Sequence, residues 1–196
     1  MTNRRKPCFW SREAKKRHCE GGTTEAIQIA SPTARNDDKN KTTMSKKQGR
    51  YQRITEQLRE LLKKSPSVNA EMATIVAVLH HKMPDFFWTG FYLLDENGEL
   101  CVSNYQGPVA CQVLTKNVGV CWASVNQKKP IVVENVHEFE GHIACDARSN
   151  SEVVIPVFSK KTGEIIGCLD VDSEKFSAFD NDDVVGLTGI VALLSA

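Results

Sequence analysis

Phe86-Phe87-Trp88-Thr89-Gly90-Phe91-Tyr92-Leu93-Leu94, followed by Asp95-Glu96-Asn97-Gly98, decides how this chain is built. An aromatic and apolar run this dense suits a central β-strand, where side chains on both faces are covered. Asn97-Gly98 suits a tight hairpin, because both residues tolerate the positive φ such turns need. Glu99–Tyr105 then reads as the returning strand.

Upstream of the hairpin the apolar period changes to that of a helix. Ile54, Leu58, Leu61 and Leu62 share one side, while Arg53, Glu56, Arg59, Glu60 and Lys63 cover the other. Ser65-Pro66 ends that helix, and order is expected to begin near Tyr51. A second helix is expected over Val68–His81, with Met72, Ile75, Val76 and Leu79 buried and Pro84 closing it. Downstream, strands are expected at Pro130–Val133, Ser151–Phe158 and Glu164–Val171, the last two joined by Lys161-Thr162-Gly163. A short helix is expected at Gly119–Asn126. A closing helix from Asp180 to Leu194 has Asp180 or Asn181 as its cap. Helices at both ends of an antiparallel sheet define an α+β domain.

Charge divides the chain. Residues 1–50 carry 13 Lys and Arg against 5 Asp and Glu; residues 51–196 carry 12 against 19. The first segment, without a sustained apolar period, reads as a basic and disordered extension, and residues 51–196 as the folded domain. Met44 is a second candidate start. A mildly acidic body does not suit nucleic-acid binding, which needs a basic face. The longest apolar runs are too short to cross a bilayer, and no secretory leader is recognisable, so a cytoplasmic location is expected.

There are seven cysteines, an odd number, and in a reducing compartment they are read as thiols: Cys8, Cys19, Cys101, Cys111, Cys121, Cys145 and Cys168. Cys101 and Cys168 sit in apolar strand contexts and read as inert core residues. Cys8 and Cys19 have no visible partner. By contrast, Tyr105–Glu152 surrounds Cys111 and Cys145 with small and turn-forming residues, which places both on loops.

That segment carries a resemblance. Phe87-Trp88-Thr89-Gly90-Phe91-Tyr92, Gln106-Gly107-Pro108-Val109-Ala110-Cys111, Gly119-Val120-Cys121, Gly141-His142-Ile143-Ala144-Cys145-Asp146, Ser149-Asn150-Ser151-Glu152 and Gly167-Cys168-Leu169-Asp170-Val171-Asp172-Ser173 follow in order. Together they resemble the free methionine-(R)-sulfoxide reductases, a branch of the GAF domains, over about Tyr51 to Leu194. The resemblance implies a GAF-like fold, with a central antiparallel sheet, the terminal helices on one face and active-site loops on the other. It implies Cys145 as nucleophile, Cys111 as principal resolving thiol and Cys121 as a third redox-active or auxiliary thiol. Trp88 and Tyr92 would wall the pocket for the substrate methyl, and Glu152, Asp170 and Asp172 would form its acidic side. A possible homodimer is implied as well.

The residue types suit that chemistry. A thiolate attacking a sulfoxide sulfur needs a proton delivered to the oxygen, and clustered carboxyls in a dry pocket cannot all ionise. An ionised neighbour can pair with the substrate ammonium. The resulting sulfenic acid would condense with a second thiol, which requires Cα atoms within about 7 Å. A thioredoxin-type dithiol would restore the thiols, and no bound cofactor is required.

Competing readings stay open at this level. Asp146 opposes a thiolate at Cys145 unless its carboxylate turns away, and His142 is not counted as catalytic. Recycling is divided between Cys111 and Cys121. No metal is expected, because a zinc set of Cys111, Cys121, Cys145 and a histidine lacks the usual close spacings. The different-class alternative is a non-catalytic GAF module that binds a small ligand or senses redox state through the same thiols.

Overall fold

The structure, a computed structural model, describes residues 44–142 and 145–196. The expected disordered extension, with Cys8 and Cys19, lies outside the described residues except for its last seven positions. Those seven are ordered: the first helix, α1, spans Lys46–Leu62 and so starts five residues before Tyr51. Ser45 and Gln48 form a reciprocal capping box, the Ser45 hydroxyl accepting from the Gln48 amide and the Gln48 side chain from that of Ser45. This polar signal lies ahead of the apolar period and is invisible to it.

Helix α2 covers Val68–Lys82. Strand β1, Trp88–Leu94, turns at Asp95–Gly98 into β2, Leu100–Gln106. A two-residue edge strand, β3 at Val113–Leu114, precedes helix α3, Gly119–Gln127. Then come β4 (Ile131–Val133), a 3-10 turn at Val136–Glu138, β5 (Ser151–Phe158), β6 (Ile165–Ser173) and helix α4 (Asn181–Val191). The six strands form one antiparallel sheet in the order β3-β2-β1-β6-β5-β4.

Period-two alternation divides each central strand between two cores. Phe91, Val153, Ile155, Val157, Leu169 and Val171 face the helices α1, α2 and α4, where they meet Tyr51, Leu58, Ile75, Leu79, Leu187 and Ile190. Trp88, Tyr92, Val154 and Cys168 face the other way, toward Val120, Cys121, Trp122 and Val125 of α3. Burial on both sides explains why the quoted stretch is a nearly unbroken apolar run.

Polar contacts lock the helix layer. Tyr51 Oη donates to Asp183 Oδ1 at 2.8 Å, and Lys47 Nζ reaches Asp183 Oδ2 at 2.6 Å. Gly186 lets α1 approach α4 this closely, since a Cβ there would lie 2.2 Å from the Tyr51 ring. At the chain end, Ser195 N donates to buried Glu71 at 2.7 Å. Among the described residues no helix is long and apolar enough to cross a membrane.

Candidate active site

On the face opposite α1, α2 and α4, a cavity of about 60 Å³ opens beneath the loops before α3 and β5. Trp88 and Tyr92, both on β1, form its aromatic wall, their rings 5.7 Å apart and stacked. Tyr105 also stacks on Trp88, at 5.5 Å. Gly90 makes room for this stack, because a Cβ at that position would lie 2.4 Å from both Trp88 and Tyr105. The wall also holds the loop after β2: Trp88 Nε1 donates to Pro108 O at 3.2 Å and Tyr92 Oη to Cys111 O at 3.3 Å.

That loop carries Cys111 to Cys145. The two are disulfide-bonded, with Cα atoms 5.7 Å apart across a separation of 34 residues. Cys145 is exposed and lines the cavity mouth; Cys111 is half-buried. Asp146 also lines the cavity, but its charge is taken up by Arg148: its Oδ1 accepts from the Arg148 amide at 2.9 Å, and its carboxylate is gripped by the Arg148 side chain at 3.0 and 2.8 Å. Hydrogen bonding by that guanidinium holds the Asp146 carboxyl down at about 2. Arg148 in turn lies 4.6 Å over the ring of Phe87, another lining residue.

The acids line the cavity floor. Glu152 begins β5, while Asp170 and Asp172 alternate on β6; Glu152 stands directly opposite Asp172. Because β6 lies between β1 and β5, this pair is interior to the sheet rather than at an edge. Burial raises Glu152 well above the usual carboxylate range, and the charges of Asp170 and Asp172 add to it. Asp170 is raised by burial and then by Asp172. Asp172 is pushed up to about 6 by burial, against a hydrogen bond from Ser149. Asp170 Oδ1 is buried with no hydrogen-bond partner among the described residues. Burial and mutual repulsion thus favour the protonated forms of Glu152 and Asp170, whereas Asp172, at about 6, is mostly ionised at neutral pH.

Cys121, in the first turn of α3, lies above the same acids, its thiol donating to Glu152 Oε1 at 4.0 Å. Hydrogen bonding with Cys168, burial and the Asp170 charge all raise that thiol. Cys168 is fully buried, as expected, yet faces this site and not the helix core; Cys101 is half-buried on β2. His142 Nε2 lies 3.7 Å from Glu152 Oε2, and burial lowers its pKa, favouring neutral imidazole.

All eight residues singled out in the sequence therefore meet around one cavity, though Cys111 reaches it only through its bond to Cys145. Sequence reading missed Phe87, Tyr105, Ser149 and Arg148 as parts of the site. Ser149 and Phe87 lie inside the quoted motifs, so position offered a signal; the reach of Arg148 back over Phe87 offered none.

A six-stranded antiparallel sheet with three helices behind it and a loop-walled pocket in front is the architecture of a GAF domain. The family's profile matches residues 66–196, and the chain belongs to the GAF-domain family. It is 42% identical over 148 residues to GAF domain-containing protein A of Dictyostelium discoideum, covering 76% of this chain and 92% of that protein. It is 39% identical over 144 residues to the free methionine-R-sulfoxide reductase of Escherichia coli, covering 74% and 86%. The X-ray structure of free methionine-R-sulfoxide reductase from Neisseria meningitidis in complex with its substrate superposes with a TM-score of 0.73 at 35% identity, covering 77% of this chain and 89% of that one. Within the GAF family the chain falls in the free methionine-R-sulfoxide reductase group.

Proposed function

We propose that this protein reduces free methionine (R)-sulfoxide to methionine, with Cys145 as the nucleophile. The observation that carries the reading is the Cys111–Cys145 disulfide at the mouth of a pocket that joins an aromatic wall to three buried or half-buried carboxyls. Redox-active sulfur, a methyl-sized apolar wall and a proton store are the three elements that sulfoxide reduction needs.

In the reduced protein the Cys145 thiolate attacks the sulfoxide sulfur while a protonated carboxyl of the Glu152, Asp170 and Asp172 cluster donates to the oxygen. The oxygen passes to Cys145 as a sulfenic acid and methionine leaves. Cys111 attacks the sulfenic sulfur, water departs, and the disulfide forms. A thioredoxin-type dithiol then returns both thiols by exchange, itself becoming oxidised. Trp88 and Tyr92 hold the methyl group and exclude water, and an ionised carboxylate of the floor pairs with the substrate ammonium. Cys121 serves as an auxiliary thiol, shielded from the solvent by α3. The protein works in the cytoplasm as a homodimer, with the basic residues ahead of α1 an extension the chemistry does not use.

The test couples purified protein to a thioredoxin system and follows reductant consumption with free R, free S and peptide-bound sulfoxide. Turnover of the free R form alone is expected, with Cys145→Ser inactive and Cys111→Ser limited to a single turnover. If peroxide oxidises the thiols but no sulfoxide is consumed, the protein is a redox sensor and the reductase reading fails. If Cys111→Ser still cycles, Cys121 is the resolving thiol.

A further inference from the structure

The pocket floor holds more donors than a proton store requires. One oxygen each from Glu152 and Asp170 lies within 4.8 Å of the other and of Cys121 Sγ, and all three residues are buried. Asp170 is 7% exposed and its Oδ1 has no hydrogen-bond partner among the described residues, so an acceptor oxygen of the cluster stands unused. His142 Nε2 stands 3.7 Å from Glu152 Oε2 on the same side. These four side chains come from four places: α3, the loop before β5, β5 and β6. They converge without using Cys111 or Cys145.

We propose that this floor is a zinc site, with Cys121 Sγ, Glu152 and Asp170 as ligands and His142 as the fourth, and that zinc and the sulfoxide compete for it. One thiolate, one imidazole and two carboxylates is a donor set that zinc accepts in tetrahedral geometry, with Zn–S near about 2.3 Å and Zn–O and Zn–N near about 2.0–2.2 Å. Donor atoms around such an ion stand about 3.5 Å apart, so those of Cys121, Glu152 and Asp170 would move inward by less than about 1 Å, while His142, close to Glu152 but outside the group the other three form, would swing further. Side-chain rotation on fixed strands supplies that movement. Magnesium and calcium, which take oxygen ligands, are disfavoured by the sulfur and the imidazole. Binding displaces the Cys121 thiol proton and the protons that burial holds on Glu152 and Asp170, all released to solvent, so that the metal takes their place. A dication also supplies the positive charge that two adjacent buried carboxylates lack.

Occupation of the floor removes the acids from the substrate, so free zinc would set how much of the enzyme is available. That consequence rests on the proposed reduction; the binding does not. The two are separated by using protein held in its Cys111–Cys145 disulfide form, in which those sulfurs cannot ligate and no turnover occurs. Cobalt(II) is titrated as the spectroscopic probe, followed by zinc as competitor. The expected result is one equivalent bound, with a sulfur-to-cobalt charge-transfer band and the visible bands of a tetrahedral ion, bleached by zinc but not by magnesium. Cys121→Ser should abolish the charge-transfer band and weaken binding by about 100-fold, and Asp170→Asn should weaken it to a similar degree. Circular dichroism checks that both variants fold. Absence of the band, or binding unchanged in both variants, overturns the site. Displacement of cobalt by free methionine (R)-sulfoxide supports the shared floor; sulfoxide binding without displacing cobalt overturns it. A wild-type protein that turns over sulfoxide yet binds no cobalt would retain the proposed function and lose this inference, and the reverse pattern would do the opposite.

Discussion

The two faces of the sheet bury carboxylates in opposite ways. Behind it, Asp183 is 1% exposed and fully served: Lys47 and the Asp180 amide meet Oδ2 at 2.6 and 2.8 Å, and Tyr51 meets Oδ1 at 2.8 Å. In front, Asp170 is almost as buried but among the described residues its Oδ1 is unpaired, and it sits beside Glu152 and Asp172 with no described Lys or Arg lining the cavity. A buried charge that is paired and hydrogen-bonded holds a fold together, whereas like charges crowded without a cation work against it. The helix face spends its polar groups on stability. The pocket face keeps groups in protonation states that water would not allow, which is what proton delivery at neutral pH requires.

That contrast is open to test. The largest effect belongs to Cys145→Ser, which should reduce turnover by at least about 1000-fold with the melting temperature of the reduced protein little changed. Leu58→Ala, behind the sheet and fully buried, should do the reverse. It should cost about 2–5 kcal/mol in urea unfolding and leave kcat/KM of the folded fraction unaltered.

The two buried acids should separate in the same manner. Asp183→Asn turns an amide against Lys47 and should destabilise by about 3 kcal/mol, with activity per folded molecule preserved. Asp170→Asn should leave stability equal or higher and lower kcat/KM by about 10- to 100-fold. If both variants behave alike in unfolding, the distinction between the faces is wrong.

Asp172 adds a pH dependence. Its folded pKa, raised from 3.8 to about 6, means that the folded state holds this proton more tightly than the unfolded chain does. The stabilising contribution is therefore complete below the unfolded value and lost as pH rises through about 6. Asp172→Asn should consequently raise the urea midpoint at about pH 7 and leave it nearly unchanged at about pH 3. The smallest change is Tyr51→Phe, which removes one buried hydrogen bond to Asp183 and should cost about 1–2 kcal/mol, measured by the same unfolding curves.

Much of this frame was legible in the residues. The hairpin, the long strands β5 and β6, and the helices α2 and α3 were read within about two residues, because each carries a strong apolar period or turn signal. Strand β3 and the 3-10 turn at Val136–Glu138 were missed, being too short to show a period at all. Helix α1 was started late for a different reason: Ser45 and Gln48 are held by each other and by Asp182 of α4, at 2.7 Å in both contacts, so a partner far along the chain helps set where the helix begins. Asp146 shows the same limit. Its identity warned of a repulsive neighbour to Cys145, but only the turn formed with Arg148 decides where the carboxylate points.

What the sequence determined by itself is local and periodic. It specified which side chains share a strand face, where the chain turns, and, through ordered motifs, the family resemblance. Asp170 and Asp172 had to lie on one side of β6 because a strand alternates with period two. Tertiary structure alone decided which side that was. Placing β6 between β1 and β5 turned the pair inward, and α3 closed over it to bring Cys121 within reach of Glu152. The loop after β2, pinned to Trp88 and Tyr92, carried Cys111 to a partner 34 residues away. No local rule relates positions so distant; the free energy of packing two cores onto one sheet does.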